Sequence, residues 1–176
     1  RERLMKHWFL SFLIWLCPAG NLLFAQAASA DIVIVGATPG GIMAGVAAAR
    51  LGSRVVILEP TDHVGGIMSN GLTKCDIINK KAIGGLFTEF TQTLHQYYKT
   101  KYGIGSPQEK ACKEGFESEP HVVELVFQQF IEKHPNISVR FHRRLKKTVK
   151  AGNRLTEIVT EVLNEPGKEE SYKAKV

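Results

Sequence analysis

The sequence predicts an α/β fold whose parallel sheet opens with a β-α-β unit and gives way to a three-stranded β-meander. Three observations carry this. Two short apolar runs, 31–35 and 54–59, flank an alanine-rich helical stretch. A glycine-rich turn joins the first run to that stretch, and from residue 146 onward strand-like segments are separated by turn residues. The 176-residue chain is 44% hydrophobic and 23% charged with a mean hydropathy of -0.09. That balance excludes a disordered tail, a collagen-like repeat and a polytopic membrane protein. Its length suits one domain with a substantial core.

Residues 1–30 read as a secretory signal peptide. Met5-Lys6-His7 precede the apolar run Trp8–Leu16, Pro18 and Gly20 break it, and Ala25-Gln26-Ala27 and Ala28-Ser29-Ala30 place small residues at alternate positions. The run is well short of the roughly 20 residues a bilayer span needs. An uncleaved anchor or a buried first helix is the competing reading. Arg1–Leu4 lie upstream of the plausible initiator Met5. Cleavage is expected after Ala30, with Ala27 as second choice. Residues 31–176 then form a secreted or periplasmic domain with no stable membrane insertion. Cys75 and Cys112 would sit in an oxidising compartment, either paired or as two free thiols.

The first element of the domain is Asp31-Ile32-Val33-Ile34-Val35, an unbroken β-branched run that suits a strand buried on both faces. Gly36-Ala37-Thr38-Pro39-Gly40-Gly41 is a turn, Ile42–Leu51 a helix stopped by Gly52, and Arg54–Glu59 a second buried strand ending in an acid. This is the size and order of a Rossmann-like mononucleotide-binding half. A pyrophosphate would rest on the free N–H groups and positive dipole end of the helix. Gly36 permits the tight turn, Gly41 close helix–strand packing, and Glu59 hydrogen bonds to ribose hydroxyls. An acid at 59 also disfavours a 2′-phosphate. Thr38 stands where the second glycine of the usual pattern belongs, with its hydroxyl either donating to a pyrophosphate oxygen or idle.

A glycine pair, Gly65-Gly66, follows six residues after Glu59, and a second pair, Gly84-Gly85, precedes a helix of spacing Leu86/Phe90/Leu94/Tyr97. Together with Val35–Gly41, Glu59-Pro60, Gly65–Leu72, Asp76-Ile77, Ile83–Gly85 and Glu119–Val122, these stretches resemble the secreted or periplasmic FAD-dependent oxidoreductases, with a glutathione-reductase-like FAD-binding fold. Threonine at the middle glycine position is frequent in that family. The resemblance implies FAD as cofactor, held by Gly36, Ala37, Thr38, Pro39, Gly40, Gly41, Glu59, Pro60, Gly65, Gly66, Ile67, Met68 and Leu145. It implies hydride or electron transfer between FAD and a small-molecule substrate, and names no catalytic residue in this stretch. It also implies that the chain, ending at Val176 without a turn or cap, is an amino-terminal fragment that would be inactive alone. A non-enzymatic dinucleotide-binding module or an inactive truncated product is the competing reading. An NAD-only domain is disfavoured by Gly65-Gly66.

Pro120–Lys133 reads as an amphipathic helix with Val122, Val123, Val126, Phe127, Phe130 and Ile131 as its apolar set. Ile137–Phe141 alternates as a third parallel strand. Lys146–Lys150, Leu155–Leu163 and Ser171–Val176, separated by turns at 151–153 and 166–167, make the meander. The net charge of +6 is dispersed. Its densest cluster, Arg140 to Lys150, reads as a solvated strand face, so no nucleic-acid partner is expected. The histidines lack metal-ligand spacing, so no metal is expected. His121 could face a pocket or lie on the surface at the helix start. Cys75 could approach a flavin ring or be a small, partly buried hydrophobe.

Overall fold

The computed structural model describes residues 28–174. The signal-peptide expectation therefore lies outside the described residues, except at Ala28–Ala30. Those three residues form a short strand, β1, and Ile32–Val35 form β2. Then come α1 (Pro39–Arg50), β3 (Val55–Leu58), the single turn α2 (Gly66–Ser69), α3 (Gly85–Tyr102), the short α4 (Pro107–Ala111) and α5 (Pro120–Glu132). Strands β4 (Ile137–Arg140), β5 (Arg143–Ala151), β6 (Arg154–Val162) and β7 (Glu169–Ala174) complete the order.

Strands β2, β3 and β4 make a parallel sheet with β3 in the middle, Ile34 opposite Ile57 and Ile57 opposite Val139. All four residues of β3 are buried, and alternate side chains enter different clusters. Val55 and Ile57 join the main core with Ile42, Val46, Phe90, Val126 and Phe127. Val56 and Leu58 join a smaller cluster with Ala30 and Tyr172. A strand covered on both faces has no polar face to alternate with, which explains its unbroken apolar run.

Helix α1 starts earlier than the expected Ile42. Pro39 takes its first position, where a missing N–H costs nothing, and Thr38 caps it. Helices α3 and α5 pack against each other through Phe90 and Phe127, whose rings stack 4.6 Å apart. Phe90 and Leu94 of α3 are buried as expected, but the next buried ring is Tyr98 and not Tyr97. A four-residue step continues the same face, whereas a three-residue step leaves Tyr97 at its edge. In α5 Val122, Val123, Val126, Phe127 and Phe130 are buried, and Ile131 is half-buried.

Strands β5, β6 and β7 form the antiparallel meander, and β1 adds to it in parallel, opposite Tyr172–Ala174. The strand β5 begins at Arg143, three residues before the expected Lys146. Part of the positive charge there is paired across the sheet: Arg144 pairs with Glu161 at 2.7 Å and Lys146 with Glu169 at 2.6 Å. Arg143 forks onto Glu170 at 3.0 and 2.8 Å, and the Tyr172 hydroxyl donates to Glu170 at 2.6 Å. Arg143 holds the Glu170 carboxyl below the usual range, while burial, with Glu170 beside it, pushes the Tyr172 phenol up to about 12. Among the described residues, no helix is long and apolar enough to cross a membrane.

Candidate cofactor site

The site is organised around the backbone of Ala37, which is wholly buried. The Gly36 N–H donates to the Leu58 carbonyl at 2.8 Å, so strand pairing persists to the last residue of β3. Gly36 then turns with φ of +96°, a conformation glycine adopts without a Cβ penalty. Next, the Ala37 N–H donates to Glu59 Oε2 at 2.8 Å, and the Ala37 carbonyl accepts from the Gly65 N–H at 2.7 Å. One peptide unit thus ties the turn after β2 to the acid after β3 and to the first residue of the glycine pair.

The amino end of α1 rises from this anchor. Thr38 Oγ1 accepts the Gly41 N–H at 3.1 Å, and the Thr38 carbonyl accepts the Ile42 N–H at 2.8 Å. The hydroxyl therefore has a role outside both sequence readings, that of helix cap, and its own proton stays available to a ligand. Pro39 offers no N–H. Gly40 is exposed, and the first turn holds no acid, so the positive end of the helix is presented without an internal counter-charge. At Gly41 an added Cβ would lie 2.1 Å from the Gly36 carbonyl oxygen, which excludes every side chain there.

Glu59 is only 8% exposed. Besides the Ala37 N–H on Oε2, its Oε1 accepts the Thr61 N–H at 3.0 Å and the Thr61 hydroxyl at 2.8 Å. A carboxylate has about four acceptor positions, so three are filled from within and one on Oε2 is left. Thr61 carried no signal in the sequence beyond standing two residues after the acid. Pro60 is half-buried. The Glu59 carbonyl accepts the Arg143 N–H at 2.9 Å, which brings the start of β5 alongside. Leu145, two residues further on, is 42% exposed.

Gly65 and Gly66 have φ of +102° and +53°, and a Cβ on Gly66 would touch Pro39 and Thr38 at 3.5 Å. The glycine pair therefore lies directly on the turn at the head of α1. Ile67 projects outward at 70% exposure, and Met68 turns inward against the main core. The structure brings together residues 36–41, 59, 65 and 66, with Leu145 reached through β5. Asp62 also holds His142 at 2.7 Å, a link between the loop after Glu59 and the residue before β5 that scattered histidines could not announce.

Other candidates lie elsewhere. His121 is exposed at the start of α5. His63 contacts Glu124 at 3.0 Å, and His95 contacts Glu109, whose carboxyl it holds below the usual range. Cys75 and Cys112 are both free. Burial pushes both thiols up, and Cys75 donates its N–H to Phe116 while its side chain is half-buried. That is the environment of a small hydrophobe and not of a reactive thiolate.

Residues 31–176 match the family described as FAD dependent oxidoreductase. The chain belongs to this family. The donor set agrees with the cofactor: an exposed amide at Gly40 on a helix end free of acids, a glycine pair laid against it, and one unfilled carboxylate acceptor beside it. Solved structures share the fold. A 3-ketosteroid-Δ4-(5α)-dehydrogenase from Rhodococcus jostii RHA1 is 14% identical with a TM-score of 0.52, covering 89% of this chain and 46% of that one. The THI4 protein of Thermovibrio ammonificans is 19% identical with a TM-score of 0.51, covering 84% and 55%. An L-amino acid deaminase from Proteus vulgaris is 15% identical with a TM-score of 0.53, covering 84% and 46%. The chain thus spans about half the length of these neighbours. No curated protein matches the sequence.

Proposed function

We propose that this chain is the FAD-binding portion of an exported oxidoreductase that moves hydride or electrons between FAD and a small-molecule substrate. The single observation that carries the reading is the junction at Ala37, where the helix-α1 turn, Glu59 and Gly65 are hydrogen-bonded into one unit. FAD held there supplies the redox centre, since the isoalloxazine carries the hard chemistry. The protein's share is binding and orientation. Gly40 and the first turn of α1 take the pyrophosphate, Thr38 caps the helix and can donate to a phosphate oxygen, and the free acceptor of Glu59 takes one ribose hydroxyl. Ile67 and Leu145 offer exposed apolar surface at the edges of the site.

The test is Gly40→Asp in the intact protein. Gly40 has nothing within 4 Å of an added Cβ and lies in the first turn of α1. An acid there complements the helix dipole and preserves the fold, but it opposes a pyrophosphate. We expect an unchanged melting temperature and FAD affinity weakened about tenfold or more, equivalent to 1.4 kcal/mol. Equal affinity in flavin-fluorescence titration, with the fold intact, would overturn the reading.

A further inference from the structure

The leader carries two small-x-small triplets in succession, Ala25-Gln26-Ala27 and Ala28-Ser29-Ala30, and either satisfies the pattern read by a leader peptidase. The sequence favours the second because it directly precedes the apolar strand. The structure treats the triplets differently. Residues 28–30 are β1, paired in parallel with β7 in the register Ala28 to Tyr172, Ser29 to Lys173 and Ala30 to Ala174. Ala30 is 4% exposed and packs with Val56, Leu58 and Tyr172.

Resting on the exported reading above, we infer that the processing site lies after Ala27, so that the mature chain begins at Ala28 and keeps β1. Cleavage after Ala30 would strip the strand that pairs with β7. That would leave the N–H and C=O groups along that edge unpaired, the kind of edge that native sheets cover. It would also remove a buried residue from the cluster that joins the meander to β3. At Asp31 the chain has already crossed to the parallel sheet: its N–H donates to the Arg54 carbonyl at 2.9 Å, and its carboxylate accepts the Arg54 N–H at 2.9 Å. A new terminus there would cut the chain at the point where it passes from one sheet to the other. A terminus at Ala28 keeps all three described residues of β1 on β7.

The experiment is export of the intact precursor, beginning at Met5, from a bacterial host, with amino-terminal sequencing of the exported product. A mature sequence starting Ala-Ser-Ala-Asp is expected, and Ala27→Phe should eliminate that product. A product starting at Asp31, unaffected by Ala27→Phe, would overturn the assignment while leaving export intact. Exported protein that still begins at Met5, or precursor retained in the cytoplasm, would overturn both the assignment and the signal-peptide reading.

Discussion

Beyond Gly40-Gly41 in the turn that heads α1, the chain carries the dipeptide Gly-Gly in two further places, and the structure makes different demands at each. Gly65 and Gly66 both have positive φ, and Gly65 is packed so closely that an added Cβ would lie 2.7 Å from the ring of Phe127 and 3.0 Å from the Ser69 hydroxyl. Gly84 is extended (φ -154°, ψ -174°), Gly85 has φ of +59°, and neither has any atom within 4 Å of an added Cβ. The first pair is wedged between the core helix α5 and the turn that heads α1. The second is an exposed entry to α3. The difference teaches that two glycine pairs alike in sequence are told apart by what approaches them, and of these two only the first is approached.

The largest expected effect follows from Gly65→Ala. The left-handed backbone costs a non-glycine residue about 1–2 kcal/mol, and forcing a methyl against Phe127 adds about 1–3 kcal/mol of overpacking. Urea unfolding should show a loss of about 2–4 kcal/mol in total, with FAD affinity falling too because the loop can no longer lie on Thr38 and Pro39. A loss no larger than that of a surface mutation would break the comparison at its stronger end.

The next effect sharpens the comparison by asking whether the first pair is tied to the turn at the head of α1 through Ala37. Glu59→Gln keeps the shape of the side chain but turns one acceptor oxygen into a donor. Either the buried Ala37 N–H or the Thr61 groups must then face an amide nitrogen. An unsatisfied buried donor costs about 1–3 kcal/mol, so stability should fall by that order. Amide hydrogen exchange at Ala37 and Gly65 should quicken, while exchange in α3 beyond Gly85 stays as it was. Acceleration confined to Thr61 would mean that the acid supports its own loop and not the junction.

Much of this architecture was legible because its signals are local. The run 55–58, the helix punctuated by Pro39 and Gly52, the apolar stripe of α5 and the alternation of 137–140 each follow from neighbours in sequence. The meeting of the candidate residues around Ala37 was legible for the same reason, since turn, acid and glycine pair lie within 31 residues of one another, Gly36 to Gly66. Features that depend on distant partners were hidden. The strand role of residues 28–30 was hidden because β7, their partner, lies some 140 residues away. The early start of β5 depends on Glu161, Glu169 and Glu170 across the sheet. The cap role of Thr38 was obscured because the same position is read as a vacant glycine site. The five-residue α4, with Ser106 as cap and Pro107 in its first turn, is too short to show a period.

The smallest effects lie at the second pair, and their sign tests the comparison most finely. Gly85→Ala meets no atom but must adopt φ of +59°, so it should cost about 1–2 kcal/mol from the backbone alone. Gly84→Ala should not cost anything. Its extended backbone suits any residue, no neighbour approaches, and as the N-cap of α3 it makes no side-chain bond that a methyl would displace. What remains is the unfolded chain, whose freedom alanine reduces, so the variant should be more stable by about 0.4–1 kcal/mol. FAD affinity should be unchanged in both, because neither residue touches the junction at Ala37. Denaturation of the two variants side by side decides the matter. If Gly84→Ala destabilises or either variant loses FAD, then the second pair is approached by something that its open surroundings do not show, and the two pairs are alike after all.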